Sequence, residues 1–295
     1  MNEHKLALGC MRIANLSIEE AERLITCALD NGVTFFDHAD IYGKRKCEEL
    51  FGEVLKRNPS FRKRMIIQSK CGICKGYYDF SKEHIIAQVK ESIRLLNCDY
   101  LDILLLHRPD ALADINEVNE AFDYLYENGL VKEFGVSNMN SWQIELYNRK
   151  LNQKIKHNQI QLSIVHSHII SEGLFVNMNE HEACDRSGGI IEYCMLNDIQ
   201  IQAWSPVMAC WADGTFIDNP KYGKLNEKLE ELSIKYGVKK NAIAISWILR
   251  HPANMIPIVG TTSPTHLLEM IEGIKIKLTR EEWYGLYLSA GHKLP

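Results

Sequence analysis

Short apolar runs alternate along this chain with longer stretches whose apolar residues recur at helical spacing. LALGCM (6–11), VTFFD (33–37), MIIQSK (65–70), LDILLLH (101–107), KEFGVS (132–137), NQIQLS (158–163), IQIQAWS (199–205) and MIPIVG (255–260) read as eight strands. Helices are predicted between them over 18–31, 47–58, 82–97, 115–129, 140–150 and 188–198, then over 225–237, 238–252, 264–273 and 279–291. Their starts carry cap signals. Ser17 precedes the first helix with Glu20 placed for a capping box, so Asn15-Leu16-Ser17 reads as a helix start rather than a glycan acceptor. Ser81 caps the third, and Gly32 and Gly129 follow helix ends. Several strands are near-continuous apolar runs, as strands covered on both faces are. Alternation of strand and helix implies parallel strands joined by right-handed crossovers. The expected fold is α/β, a (β/α)8 TIM barrel, as a single domain over residues 1–295. An open doubly wound sheet is the rival, but no G-x-G-x-x-G follows the first strand and no P-loop occurs.

Three successive strands end in a polar residue: Asp37, Lys70 and His107, with Tyr42 just beyond the first in DHADIYG. In a (β/α) barrel such residues gather on the C-terminal rim, where active sites form. Taken singly, Asp37 reads as a turn cap, Lys70 as a solvated charge, His107 as a rim histidine and Tyr42 as packing. Together they suit one chemistry, a tyrosine proton donor tuned by a lysine, a carboxylate and a histidine. Two long irregular stretches, Cys71–Phe80 and Pro206–Pro220, fall on the same rim and read as functional loops. Tyr77, Tyr78 and Trp211 within them suggest an aromatic-lined mouth, whereas Trp283, Tyr284 and Tyr287 of the last helix read as packing.

Composition narrows the picture further. With 46% hydrophobic and 24% charged residues the chain can bury a large core, and a net charge of −4 offers no general attraction to nucleic acid or an anionic membrane. The longest apolar runs are too short to span a bilayer, and MNEHKLALGCMR lacks the apolar core of a secretory signal. Nine scattered cysteines, an odd number, point to reduced thiols and a cytoplasmic location. Cys71-Gly72-Ile73-Cys74 has the spacing of a redox pair or half a zinc site, but no second pair stands at metal spacing, so no metal is expected.

The ordered motifs DHADIYG, SKCG, LDILLLHRPD, VKEFGVSN, QIQLS, AWSP and IPIVGTTSP resemble the aldo-keto reductase family over almost the whole chain, most closely its short bacterial branch. That resemblance implies NADPH-dependent reduction of an aldehyde or ketone, with Tyr42, Lys70, Asp37 and His107 as the catalytic tetrad. It implies that Ser137, Asn138 and Gln161 hold the nicotinamide carboxamide and that Trp204 stacks on its ring. Ser205, Pro206 and Val207 begin the pyrophosphate loop, and Thr261, Thr262 and Ser263 receive the adenosine phosphate. Family members usually carry an arginine where this chain has His266 and an asparagine where it has Met270. His266 can still donate a hydrogen bond, so NADH is possible beside NADPH. The implied partner is a small carbonyl substrate. A nucleotide-sensing scaffold related to potassium-channel β subunits is the alternative, and a thiol redox protein using Cys71 and Cys74 is a third reading.

Overall fold

The computed structural model describes residues 4–295. Its strands are β1 (Ala7–Gly9), β2 (Phe35–Asp37), β3 (Ile66–Cys71), β4 (Leu101–Leu106), β5 (Val131–Ser137), β6 (Ile155–Gln161), β7 (Gln200–Trp204), β8 (Met208–Cys210), β9 (Gly214–Thr215) and β10 (Ile256–Val259). Its helices are α1 (Ile18–Asp30), α2 (Lys46–Arg57), α3 (Lys82–Leu95), α4 (Ile115–Glu127), α5 (Ser141–Lys150) and α6 (His168–Leu174). They continue as α7 (Ile190–Leu196), α8 (Gly223–Tyr236), α9 (Lys240–Leu249), α10 (Pro264–Glu272) and α11 (Arg280–Ser289). Eight strands close a barrel in the order β1-β10-β7-β6-β5-β4-β3-β2, and every register given for neighbouring barrel strands is parallel. The fold is therefore the (β/α)8 barrel that the alternating pattern implies. β8 and β9 form a separate antiparallel pair.

Backbone contacts divide the chain into two compact units. One comprises Ala7–Gln159 with Gly260–Pro264; the other comprises Ile160–Val259 with Thr265–Pro295 and residues 4–6. Within the first, β1 to β5 pair in sequence order. The capping box at Ser17 forms, with the Ser17 amide 2.8 Å from Glu20 Oε2 and the Glu20 amide 3.2 Å from Ser17 Oγ. Phe122 of α4 stacks on Phe134 of β5 at 4.1 Å between centroids, joining helix to strand through the core. Within the second, Trp247 of α9 and Trp283 of α11 stack at 4.7 Å, and each indole N–H donates to the other residue's carbonyl. Tyr287 is likewise fully buried, so the aromatic face of the last helix packs as its spacing suggests.

Two elements differ from the sequence expectation. β6 begins at Ile155, three residues earlier than the apolar pattern places it, and ends at Gln161. Lys156 and His157 look like loop, yet His157 pairs with Gly135 of β5 and is buried, its Nε2 2.8 Å from Glu133 Oε2. Leu162 and Ser163 fall outside the strand, and Ser163 Oγ donates instead to the Met208 carbonyl at 2.8 Å. The second difference is α6, in a stretch given no element from sequence, together with the β8–β9 hairpin inside the Pro206–Pro220 stretch read as irregular. The hairpin buries Phe216 completely and leaves Trp211 70% exposed.

Candidate active site

β2 places Asp37 at its last position, and the ladder to β3 continues past it. The His38 amide donates to the Gln68 carbonyl at 2.8 Å and the Asp40 amide to the Lys70 carbonyl at 3.0 Å. This carries the chain to Tyr42 while Lys70, on β3, points to the same place. Lys70 Nζ donates to the Asp37 carboxylate at 2.7 Å, to the His38 carbonyl at 2.9 Å and to Tyr42 Oη at 3.1 Å. Asp37 and Lys70 are 2% and 1% exposed, so the ion pair is dry. His107 follows β4, its amide bonded to the Cys71 carbonyl at 2.9 Å, and its ring meets Tyr42 edge to face at 6.0 Å. The four polar residues at the ends of β2, β3 and β4 thus converge.

Their electrostatics follow from burial and one cation. Burial opposes the Lys70 ammonium, but Asp37 and Tyr42 outweigh it and hold the group above its usual value. Burial pushes the Tyr42 phenol up; Lys70 pulls it down without reversing that direction. The lysine effect expected from sequence is present, but desolvation is larger. His107 is driven well below the usual imidazole range by burial, then by Lys70 and Arg108, and so is neutral. Its Nδ1 is buried with no hydrogen-bond partner among the described residues.

The other predicted positions divide between the two units. Ser137 is buried and donates to the Gln159 carbonyl at 3.0 Å; Asn138, in a left-handed conformation (φ 56°), donates to Ser137 Oγ at 2.6 Å. Thr261 Oγ1 accepts the Ser263 amide at 3.1 Å just before α10, with Thr262 half-buried between them. These lie in the unit that holds the four converging residues. Gln161, Trp204, Ser205, Pro206, Val207 and His266 belong to the other. There Gln161 and Trp204 are half-buried at the ends of β6 and β7, and Ser205 turns the chain with φ 54°. Pro206 is buried, and the Val207 carbonyl accepts Thr215 Oγ1 at 2.9 Å, tying the loop to its own hairpin. His266 is exposed on the first turn of α10, whereas Met270 is buried.

The family model described as the Aldo/keto reductase family matches residues 5–286. The chain belongs to the aldo-keto reductase family. This is a family of oxidoreductases that act on small carbonyl compounds. Among similar proteins, oxidoreductase YdhF of Escherichia coli is 32% identical, the match covering 99% of this chain and 95% of that protein. Uncharacterized oxidoreductase YcsN of Bacillus subtilis is 33% identical over 97% and 94%. A 6-dehydroglucose reductase of Agrobacterium fabrum is 30% identical, also over 97% and 94%. A solved thermostable aldo-keto reductase in complex with the inhibitor epalrestat superposes with a TM-score of 0.75 at 24% identity, over 97% of this chain and 94% of that one, a likeness of fold.

Two residues of this aldo-keto reductase's site are missing from the sequence reading. Gln68 and Gln159 both donate to Asp37 Oδ1, at 2.6 and 2.9 Å. Each stands two positions before a residue read as part of the site, Lys70 and Gln161, and so shares its side of the strand. That period-two relation is the signal that could have found them. The described cysteines are all free thiols: Cys71 is buried, and Cys74 lies 3.9 Å from His84 Nε2. No group of metal ligands occurs among the described residues, and none of their helices is long and apolar enough to cross a membrane. Tyr77 and Tyr78 are 61% and 45% exposed on a short hairpin where Ile73 bridges Tyr78.

Proposed function

We propose that this protein reduces an aldehyde or ketone to an alcohol with NADPH, in the cytoplasm and as one domain, and that Tyr42 supplies the proton. The observation that carries this reading is the phenol–ammonium–carboxylate chain, with Tyr42 Oη 3.1 Å and the Asp37 carboxylate 2.7 Å from Lys70 Nζ, beside a neutral His107. A raised phenol keeps its proton at neutral pH and gives it up only to a strong base. An alkoxide forming on a carbonyl oxygen is such a base. Proton transfer leaves a tyrosinate, and Lys70 already stands where it stabilises that charge. Asp37, fixed by Gln68 and Gln159, holds Lys70 in register so that the buried ammonium has its counter-charge. His107, being neutral, donates a single N–H to the carbonyl oxygen and aligns it without competing as an acid.

A nicotinamide cofactor, when bound, supplies the hydride. The residues present fit such a group. The ring nitrogen of His107 left without a partner lies at the rim, and Ser137 and Asn138 present amide and hydroxyl groups at the end of β5. Trp204 offers a half-buried ring at a strand end. Thr261, Thr262 and Ser263 lead into α10, whose first-turn amides favour an anion, and Pro264 at its first position withdraws no needed donor. His266, exposed on that turn, can donate a hydrogen bond where relatives usually carry an arginine, which keeps NADH possible beside NADPH. The relative described as a 6-dehydroglucose reductase supports an oxidised sugar as one carbonyl to try first.

Steady oxidation of NADPH in the presence of a generic activated aldehyde is the test. Tyr42→Phe should reduce turnover by roughly 10²–10⁴ while leaving cofactor binding intact. Turnover near wild type in that variant would reject Tyr42 as the donor. Tight binding without turnover across a broad carbonyl panel would replace the reductase by a nucleotide sensor.

A further inference from the structure

Tyr42 begins a turn whose next three residues all have left-handed backbone: Gly43 (φ 56°), Lys44 (φ 54°) and Arg45 (φ 71°). Glycine adopts this region freely, but lysine and arginine do not. Gly43 has a second constraint, since a Cβ there would lie 2.9 Å from the Ala14 Cβ and 3.2 Å from the Cys47 sulfur. The turn is therefore pressed against its surroundings in a conformation that its own residues disfavour. Something must hold it.

The Arg45 side chain does so. Its Nη1 donates to Glu48 at 3.0 Å and to Ser92 Oγ at 3.3 Å, and its Nη2 donates to Gln88. Gln88 and Ser92 lie on α3, and Glu48 on the first turn of α2 is completely buried. The other oxygen of Glu48 accepts Ser69 Oγ at 2.6 Å, and Ser69 precedes Lys70 on β3. One planar guanidinium thus joins the turn carrying Tyr42 to two helices, and through Glu48 to the strand carrying Lys70. Both groups of the 3.1 Å phenol–ammonium contact hang from this network, on the face of β3 opposite the site.

We propose that Arg45 is a positioning residue for Tyr42: acting with Glu48 and the α3 pair Gln88 and Ser92, it clamps the strained turn so that the phenol stays at its working distance from Lys70. The proposal rests on the reading of Tyr42 as the proton donor. The clamp's partners lie on α2, α3 and the side of β3 turned away from Lys70, so it governs the chemical step and not cofactor affinity. A displacement of about 1 Å at a reacting group can cost on the order of 100-fold in rate.

The test compares Arg45→Ala, Arg45→Lys and Tyr42→Phe as full chains, using carbonyl-dependent NADPH oxidation and, separately, NADPH binding by fluorescence. Arg45→Ala should lower kcat by about 10–100-fold, leave the cofactor dissociation constant within about twofold, and shift the alkaline limb of the pH–rate profile. Arg45→Lys keeps the charge but not the planar fork, and should restore only part of the rate. If Arg45→Ala loses its fold, Ser92→Ala and Gln88→Ala remove the α3 partners without stranding Glu48, and each should reduce kcat alone. An Arg45→Ala or, in that event, Ser92→Ala and Gln88→Ala enzyme with unchanged kcat and pH profile, beside an inactive Tyr42→Phe, would overturn the clamp and spare the reading beneath it. An active Tyr42→Phe would overturn both.

Discussion

Replacing Asp37 by asparagine separates the charge at the centre of the site from its shape. The carboxylate accepts from Gln68 Nε2 at 2.6 Å, Gln159 Nε2 at 2.9 Å and Lys70 Nζ at 2.7 Å. All three partners are donors. An amide has one acceptor oxygen, so its NH2 meets a donor whichever way it turns. The larger cost falls on Lys70, which is 1% exposed and would be left with the His38 carbonyl and the Tyr42 phenol alone. Removing one partner of a buried ion pair costs about 3–5 kcal/mol, and this is the expected loss for Asp37→Asn near pH 7. The dependence on pH identifies the cause. In the parent protein Lys70 is held above its unfolded value, so its stabilisation is complete below that value and disappears only as pH rises through the folded one. In the variant burial acts without a counter-charge and the folded value drops below the unfolded one. The unfolded chain then binds more protons, and stability climbs as pH rises toward about 10. Urea unfolding of both proteins near pH 7 and near pH 9 measures this. The variant should recover part of its deficit at the higher pH. A deficit below about 1 kcal/mol, or one that does not change with pH, would refute the argument.

Two further predictions concern stability. Asp40 is 6% exposed, with Oδ1 unpartnered among the described residues, and burial raises it to about 7 against Arg45's opposing pull. Its folded value thus exceeds its unfolded one, so it costs stability as pH rises from about 4 to about 7, by at most about 4 kcal/mol; Asp40→Asn should match the parent near pH 4 and exceed it near pH 8 in urea midpoint. Trp247→Ala removes a fully buried ring from the Trp283 stack and the indole N–H that donates to the Trp283 carbonyl, while the backbone carbonyl at 247 still accepts from the Trp283 indole; it should cost about 3–5 kcal/mol in urea unfolding, and Trp247→Phe should recover the stacking part and leave the Trp283 carbonyl unpaired.

Much of this was legible in the chain because the physics is periodic. Eight apolar runs between amphipathic stretches give the barrel, and a charged or titratable residue closing β2, β3 and β4 marks one rim. What sequence concealed was buried polarity. Lys156 and His157 belong to β6 although they read as loop, because the His157 ring exchanges water for the Glu133 carboxylate of β5. Gln68 and Gln159 were passed over for the same reason: a polar residue inside a barrel carries no sign of its partner until strands from distant parts of the chain are placed together. The clamp at Arg45 was hidden differently. Left-handed backbone at Lys44 and Arg45 runs against residue preference, so tertiary contacts decide it.

The sequence distances between bonded groups have a consequence for how the protein comes into being. Lys70 is 33 residues from Asp37 and 28 from Tyr42, so the proton-handling contacts close short loops within an early stretch of chain. The Gln159 bond to Asp37 spans 122 residues. The phenol, ammonium and carboxylate are therefore drawn from one short stretch of chain, whereas the Gln159 amide in the carboxylate's shell comes from far along it. Closing the reactive cluster thus costs less chain entropy than adding the distant amide.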